Sequence, residues 1–190
     1  MPALQKLFPS PAPICFLQSE LFQKGERGKE KEKFFMSNST IKIGIISDTH
    51  DKLYPDVAKF LSKCDEIISA GDLSSLRLLN QLKSIAPVTA ARGNCDWGPW
   101  ASALPKSAAT EIGGKRFYIV HRSYDLDIVP ETSGFDAVIF GHTHIPAMFS
   151  KNGVTYLNPG SASEPRGGSS RSAALAIISG EFINYELHNF

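Results

Sequence analysis

The sequence has few cysteines and no framework for disulfide bonds. Only three of its 190 residues are cysteines, namely Cys15, Cys64 and Cys95. Their odd number and wide separation do not match the paired spacing of a disulfide-stabilised secreted domain. We therefore expect reduced cysteines and a cytoplasmic location.

Long apolar runs and an excess of one charge are also missing. No run approaches the roughly 20 consecutive apolar residues that a membrane-spanning helix needs. The 20 Lys and Arg residues nearly balance the 19 Asp and Glu residues, which leaves a formal net charge of +1. A large basic surface for nucleic acid or for a membrane is therefore not expected, and any phosphate would have to bind at a local site.

The first forty residues differ in composition from the rest of the chain, and the charge run within them offers almost nothing to bury. A proline-rich start leads into a charge run at residues 24–33, and the short apolar patch at residues 14–17 has no small-residue cleavage pattern of a signal peptide. Such a segment buries too little apolar surface to offset its ordering entropy. We expect residues 1–40 to be a disordered extension and residues 41–190 to form a single domain.

From residue 41 onward, apolar residues recur with the spacing of strands and helices. Apolar runs at residues 41–46, 66–70 and 86–90 predict three strands, and helical spacing at residues 52–63 and 74–84 predicts the intervening helices. This alternation predicts an α/β core with parallel strands.

The second half of the chain carries hairpin signals instead. Glycine-containing turns at residues 113–114, 152–153 and 179–180 each separate two strand-like runs, and a further buried strand is predicted at residues 137–140. We therefore expect one domain with a parallel first half and an antiparallel second half.

Five of the apolar runs end in residues that are able to bind a metal ion. These residues are Asp48, His50, Asp72, Asn94, His121, His142 and His144. Four of the five histidines fall in these positions, and only His188 lies elsewhere. Ligand sites in open α/β sheets form beyond the carboxyl ends of the strands, so these side chains are expected to meet in one crevice. Carboxylate, imidazole and amide ligands suit Mn, Fe, Zn or Mg.

Each of these segments taken alone has a simpler structural explanation. Residues 48–50 could be a helix N-cap followed by a surface histidine, and the Gly-Asp and Gly-Asn pairs at residues 71–72 and 93–94 are common in turns. His121 at a strand end could be structural. The pair in residues 142–144 is a stronger signal, because an extended segment points alternate side chains to the same side. The combination of all five segments favours a metal site.

The series Asp-x-His, Gly-Asp, Gly-Asn-Cys-Asp, His and Gly-His-Thr-His resembles the motifs of the calcineurin-like metallophosphoesterases. The resemblance is closest to their small single-domain branch, the YfcE- and MJ0936-like phosphodiesterases. It covers about residues 41–187 and includes the segment Asn158-Pro159-Gly160-Ser161. It implies the metallophosphoesterase fold, a mixed α/β (α+β) architecture in which two mixed β-sheets pack as a sandwich flanked by helices.

The resemblance also implies two divalent metal ions, with manganese expected first and iron, zinc, nickel and magnesium as alternatives. One ion would be held by Asp48, His50, Asp72 and His144, and the other by Asp72, Asn94, His121 and His142. A hydroxide bridging the two ions would then attack a small phosphodiester substrate, which assigns catalysis to Asp72, Asn94 and His121. Homodimers are common in this branch, but no residue pattern here establishes one.

Two positions depart from the pattern of the family. Many larger members have a histidine after Gly-Asn that protonates the leaving group, whereas this chain has Cys95, with Asp96 only a weak substitute. Substrates with good leaving groups are therefore expected. Arg122 replaces the usual glycine and either binds a substrate phosphate or faces solvent. Arg166 is a further candidate substrate contact, or else an ordinary exposed loop arginine.

Two other functions stay open. A phosphomonoesterase or nucleotidase would use the same metals, and a non-catalytic interaction scaffold is found in a eukaryotic trafficking subunit of the same family. All seven ligand positions hold residues that are able to bind a metal ion. This favours the enzyme, because a scaffold has no physical need for four converging imidazoles.

Overall fold

The computed structural model describes residues 40–190 of the chain. The extension predicted for residues 1–40 lies outside the described residues, apart from Thr40. In chain order the strands are β1 Ile41–Ile46, β2 Glu66–Ser69, β3 Val88–Ala90, β4 Ser107–Ile112, β5 Lys115–Val120, β6 Ala137–Ile139, β7 Ala147–Lys151, β8 Val154–Asn158, β9 Ser172–Ser179 and β10 Phe182–Asn189. The α-helices are α1 Pro55–Leu61, α2 Leu76–Lys83 and α3 Pro99–Ser102, and a 3-10 turn spans Ser123–Asp125.

The strands form two mixed five-stranded sheets. The first sheet has the order β10-β9-β1-β2-β3, with β1, β2 and β3 parallel and β9 antiparallel to both β1 and β10. The second sheet has the order β4-β5-β6-β8-β7, with antiparallel hairpins at both edges. The three hairpins predicted from the glycine-containing turns are confirmed.

The expected division into a parallel first half and an antiparallel second half needs correction. Strands β5, β6 and β8 pair in parallel within the second sheet, and β9 from the end of the chain joins the first sheet beside β1. Most residues of β9 are buried, which suits a strand with a neighbour on each side. Local sequence patterns identified the strands but not these long-range partners.

The main core lies between the two sheets. Buried side chains of the first sheet, such as Ile43, Ile45 and Ile68, pack with Phe117 and Ile139 of the second. On the outer face of the first sheet, helices α1 and α2 cover a second apolar cluster that includes Leu61, Leu78 and Leu82. The predicted fold class, two mixed sheets packed as a sandwich with flanking helices, is thereby confirmed.

Both main helices are shorter than the sequence pattern predicts. Helix α1 begins at Pro55 instead of residue 52, and α2 begins at Leu76, where the Ser75 hydroxyl accepts a hydrogen bond from the Leu78 N–H. The residues that precede each helix form the loops that carry the ligand candidates. Among the described residues, no helix has the length and apolar character to cross a membrane.

Candidate metal centre

The loops that follow β1 and β2 are held side by side by backbone hydrogen bonds. The Asp48 N–H donates to the Gly71 carbonyl (3.1 Å), and the N–H groups of Thr49 and His50 donate to the Asp72 carbonyl (3.1 and 3.0 Å). Parallel pairing of β1 with β2 brings the ends of both strands to the same edge. The predicted ligands of two different loops therefore become neighbours.

Five predicted ligands adopt left-handed backbone conformations. Their φ angles are 52° at Asp48, 44° at His50, 54° at Asp72, 70° at His142 and 60° at His144. Only eight non-glycine residues in the described part of the chain have a positive φ. Such conformations cost about 1 kcal/mol or more each and concentrate at functional sites. The surrounding structure therefore holds these loops against local backbone preference.

Asp48, His50 and His144 form a first ligand group. The Nε2 atom of His144 lies 3.3 Å from His50 Nε2 and 3.3 Å from Asp48 Oδ1. The Nδ1 atom of His144 faces the carbonyl oxygen of Glu164, which can only accept, so the proton sits on Nδ1 and the Nε2 lone pair is available. Burial lowers the pKa of His144, but the Asp48 carboxylate outweighs it and the net shift is upward.

Asp72, Asn94 and His121 form a second group. The Nε2 atom of His121 lies 3.1 Å from Asn94 Oδ1 and 3.3 Å from Asp72 Oδ2. His121 Nδ1 lies 2.8 Å from the Ala70 carbonyl oxygen, so Nε2 is again the free nitrogen. Burial lowers the pKa of His121, but Asp72 outweighs it and the net shift is upward.

The Asp72 carboxylate stands between the two groups. The Cys95 N–H donates to its Oδ1 atom at 2.7 Å. Its Oδ2 atom faces His121 Nε2 at 3.3 Å and His50 Nε2 at 4.0 Å. Burial disfavours the ionised form, yet His121 and the Cys95 contacts hold the pKa of Asp72 at about 2. Asp72 is therefore an anion at neutral pH with one oxygen turned toward both groups.

His142 lies farther from the tight contacts than the other predicted ligands. Its ring centroid is 5.3 Å from that of His121, in an edge-to-face arrangement. Its backbone N–H donates to Asp48 Oδ2 at 3.0 Å. Burial and the neighbouring His121 lower the pKa of His142, which keeps its imidazole neutral. His142 is thus beside the second group with a ring able to accept a cation.

Cys95 and Asp96 have surroundings that sequence patterns could not reveal. The Cys95 thiol belongs to a cluster with His50 and Asp72 in which all candidate ligand atoms lie within 4.8 Å of one another. Burial and Asp72 raise the pKa of Cys95 to about 11, so the thiol is protonated at neutral pH when no metal ion is bound. Asp96 is buried, and its carboxylate accepts the N–H groups of Asp72, Ser74 and Gly93. Asp96 therefore positions two ligand loops, and three of the roughly four acceptor sites of its carboxylate are already occupied by backbone N–H groups.

The segment Asn158–Ser161 supports the first group from the opposite sheet. The hydroxyls of Ser161 and Ser163 both donate to the Asp48 carbonyl oxygen, at 2.7 and 3.1 Å. The Asn158 amide donates to the Gly141 carbonyl at 2.9 Å. A resemblance noticed in the sequence thus corresponds to a brace that fixes two ligand loops.

The two candidate substrate arginines lie on opposite sides of the centre. Arg122 pairs with Asp125 at 2.7 Å and lies over the Tyr124 ring at 5.1 Å, at the wall of a cleft that includes Asn94 and His121. The exposed Arg166 is joined to the first group through its backbone N–H, which donates to the His144 carbonyl at 3.3 Å. Both arginines are near the centre, on different flanks.

The residues present fit divalent cations. Asp48 Oδ1 is buried and has no hydrogen-bond partner among the described residues, although buried carboxylate oxygens normally have one. Two imidazole nitrogens of the first group face each other at 3.3 Å, and both can present lone pairs. A cation would satisfy the carboxylate and both nitrogens at once, and oxygen with imidazole ligands suits first-row divalent metals.

Comparison with known proteins places this chain in a family. The model of the calcineurin-like phosphoesterase superfamily domain matches residues 41–181. The chain is 33% identical over 146 residues to the probable metallophosphoesterase MJ0623 of Methanocaldococcus jannaschii, covering 70% of this chain and 74% of that protein. It is 29% identical over 139 residues to phosphodiesterase MJ0936 of the same organism, covering 63% of this chain and 83% of that protein.

The fold is also shared with solved structures. Vps29 of Chaetomium thermophilum superposes with a TM-score of 0.64 at 20% identity, covering 79% of this chain and 97% of that one. At that identity the likeness concerns the fold alone. The family match, the relatives and the grouped ligand candidates agree, and the chain belongs to the calcineurin-like phosphoesterase superfamily.

Proposed function

We propose that this protein is a metal-dependent phosphodiesterase in which seven side chains hold two divalent cations. The first cation is assigned to Asp48, His50, Asp72 and His144, and the second to Asp72, Asn94, His121 and His142. Manganese is the metal we expect first. When bound, such cations lower the pKa of a shared water toward about 7 and neutralise the phosphoryl oxygens of the substrate.

The position of Asp72 is the observation that carries this proposal. A single carboxylate oxygen faces one histidine of each group, at 3.3 Å and 4.0 Å. An anion in that place can serve two cations, whereas a neutral side chain would leave their mutual repulsion uncompensated. Asn94 contributes a neutral oxygen, so the second position gains a ligand without adding charge that would repel an anionic substrate.

The surroundings of the second group favour diesters with good leaving groups. Protonation of a poor leaving group requires an acid with a pKa near the working pH. The pKa of Cys95 is about 11, and three backbone N–H groups occupy the Asp96 carboxylate. Alkyl phosphomonoesters should therefore react slowly, which weighs against the phosphomonoesterase and nucleotidase alternative.

A non-catalytic scaffold is the less favoured alternative. The fold shared with Vps29 is compatible with a binding protein, but left-handed ligand residues and a buried carboxylate oxygen without a hydrogen bond add nothing to a docking surface. Those features stabilise a bound cation. They therefore favour the hydrolase, for which the relatives named as phosphodiesterases also argue.

The test is hydrolysis of bis-p-nitrophenyl phosphate by metal-stripped protein with and without added manganese. We expect no turnover without metal, restored turnover with manganese, and loss of turnover in Asn94→Ala and His121→Ala. A matched control is His188→Ala, which removes the histidine outside the centre. Folded protein that binds metal but hydrolyses neither diester nor monoester with any divalent cation would favour the scaffold.

A further inference from the structure

A cleft of about 650 Å³ opens directly beside the second ligand group. Asn94 and His121 line this cleft together with Arg92, Lys106, Arg122 and Trp97. This volume is in the range of pockets that hold small-molecule ligands. Because the cleft begins at the predicted metal ligands, one ester arm of a bound phosphodiester would extend into it.

Three cationic side chains reach this cleft from three separate chain segments. Arg92 follows β3, Lys106 directly precedes β4, and Arg122 follows β5. The Arg92 N–H donates to the Pro105 carbonyl at 2.7 Å, and Ser107 pairs with Val120 in the β4–β5 ladder. These two connections bring Lys106 beside both arginine-bearing segments. The grouping is thus produced by the fold.

The positive charge of the cleft is only partly neutralised by the protein. Arg122 is paired with Asp125, and the Asp96 carboxylate is taken up by backbone N–H groups. The side chains of Arg92 and Lys106 have neither an ion pair nor a hydrogen bond to any other described residue. Two positively charged side chains without partners, in a cleft next to the proposed phosphate site, are suited to binding a second anionic group of the substrate.

Trp97 gives the same cleft an aromatic surface. Its side chain is 77% exposed, the second-largest exposure among the large apolar residues described. Tryptophan is usually well buried, and an exposed indole beside a ligand cleft offers a face on which a planar ring can stack. The cleft thus combines sites for an anion and for a ring at the edge of the proposed reaction centre.

We propose that this cleft selects phosphodiesters with a nucleotide arm that carries a second phosphate, with Arg92 and Lys106 binding that phosphate and Trp97 stacking on the base. This inference rests on the proposed phosphodiesterase function and specifies its substrate class. The scissile phosphate lies at the metal ligands, and the neighbouring phosphate of a dinucleotide-like substrate enters the cleft. Arg92 and Lys106 act in binding and take no part in bond cleavage.

Two chromogenic substrates that differ by one phosphate test the proposal. They are the p-nitrophenyl ester of thymidine 5′-phosphate and the same ester with a 3′-phosphate added. With the manganese-loaded full chain, the 3′-phosphate should raise kcat/KM by about tenfold or more, as expected for charge-assisted hydrogen bonds. Arg92→Ala and Lys106→Ala should each reduce this ratio, and the double variant should bring it close to one.

Two further variants separate the roles of charge and stacking. Trp97→Ala should lower kcat/KM for both thymidine esters by about fivefold or more, in line with the loss of one stacked base, while preserving the advantage of the 3′-phosphate. Lys63→Ala is the matched control, because Lys63 lies between α1 and the start of β2, at the end of that strand opposite the ligand loop. This control should leave the ratio unchanged.

The outcomes distinguish failure of this subsite from failure of the proposed function. Hydrolysis of both esters with no advantage from the 3′-phosphate overturns the subsite and leaves the phosphodiesterase intact. If neither ester is hydrolysed, calorimetric titration of the full chain with thymidine 3′,5′-bisphosphate tests separately whether the cleft binds the nucleotide. Binding that Arg92→Ala and Lys106→Ala both weaken supports the subsite, and binding that is absent or indifferent to these variants overturns it.

Discussion

The two sheets contribute different chemistry to the same centre. Loops of the first sheet supply the oxygen donors Asp48, Asp72 and Asn94, together with one imidazole. Loops of the second sheet supply the other three imidazoles. Each sheet also orients ligands of the other, because the His142 N–H donates to Asp48 and the Ala70 carbonyl accepts from His121.

This cross-support explains why the centre requires the packed sandwich. Neither sheet alone presents all seven candidate ligands, and each sheet helps to orient candidate ligands of the other. The first sheet determines where negative charge lies, and the second contributes three of the four imidazoles that face it. The following predictions test that division, from the largest expected effect to the smallest.

Removing the charge of Asp72 should have the largest effect, because this carboxylate of the first sheet faces histidines of both groups. Asp72→Asn keeps the size of the side chain but should lower manganese-dependent turnover of bis-p-nitrophenyl phosphate by about 10³-fold, comparable to loss of a key electrostatic group. Asp65→Asn, at the opposite end of β2, is the control. Turnover of Asp72→Asn within tenfold of the unmodified chain would disprove its central position.

The close approach of the first-sheet loops should make Gly93 sensitive to substitution. A Cβ at Gly93 would lie 2.1 Å from Asp72 Oδ1 and 2.2 Å from the Asp72 backbone nitrogen, which cannot rotate away. Gly93→Ala should lower the free energy of unfolding by about 2–4 kcal/mol. Gly153→Ala has open space around its Cβ but a φ of +84°, so about 1 kcal/mol is expected from conformation alone. Urea denaturation measures both, and equal losses would contradict the packing argument.

Asp96 should affect activity through position and not through proton transfer. Asp96→Asn replaces one hydrogen-bond acceptor by an amide N–H₂, which cannot accept from the backbone N–H groups that Asp96 binds. The loss should lower kcat by about 10- to 100-fold, as for other groups that orient metal ligands. The pH dependence of kcat should keep its shape. Asp136→Asn is the matched control, because the Asp136 carboxylate also accepts a backbone N–H, that of Arg116 at 2.8 Å, but lies within the second sheet. If one ionisation disappeared from the pH dependence of kcat in Asp96→Asn, Asp96 would instead be assigned the role of a general acid.

The imidazoles of the second sheet should give the metal-free protein an unusual pH dependence. Their raised pKa values mean that His121 and His144 stabilise the folded chain fully below their unfolded pKa of about 6.5, and this contribution is lost as pH rises through the folded values. The lowered pKa of His142 acts in the opposite direction, so two raised pKa values stand against one lowered value. With chelator present, the free energy of unfolding should fall as the pH rises above about 6.5, and a constant or rising value would contradict this.

Sequence patterns were most informative where structure is local. Strand β1 has the bounds predicted from its apolar run, and the glycine-containing turns correctly predicted all three hairpins. The extent of α1 was overestimated because residues 52–54 continue the helical spacing yet belong to the ligand loop. Hydrogen bonds to the carbonyls of residues 71–73, in the loop that follows β2, hold the ligand loop in a non-helical conformation, and hydrophobic periodicity carries no information about them.

The sequence predicted the candidate ligands of the site but not the hydrogen bonds that hold the ligand loops in place. All seven ligand candidates could be named because each follows an apolar run, and their role as ligands stays a prediction. The hydrogen bonds from Ser161 and Ser163 to Asp48 span 113 and 115 residues of sequence, and the resemblance that singled out residues 158–161 did not indicate this contact. The cleft lined by Arg92, Lys106 and Arg122 was missed because three separate chain segments form it.

Counting bound metal ions tests the central claim most directly. Native mass spectrometry of the full chain titrated with manganese should show two ions per chain. His144→Ala, which removes a ligand assigned to the first ion alone, should show one ion at the same metal concentration. A chain that binds two ions only when Asp72 is present supports the account of a shared carboxylate. Saturation at one ion or none in the unmodified chain would contradict it.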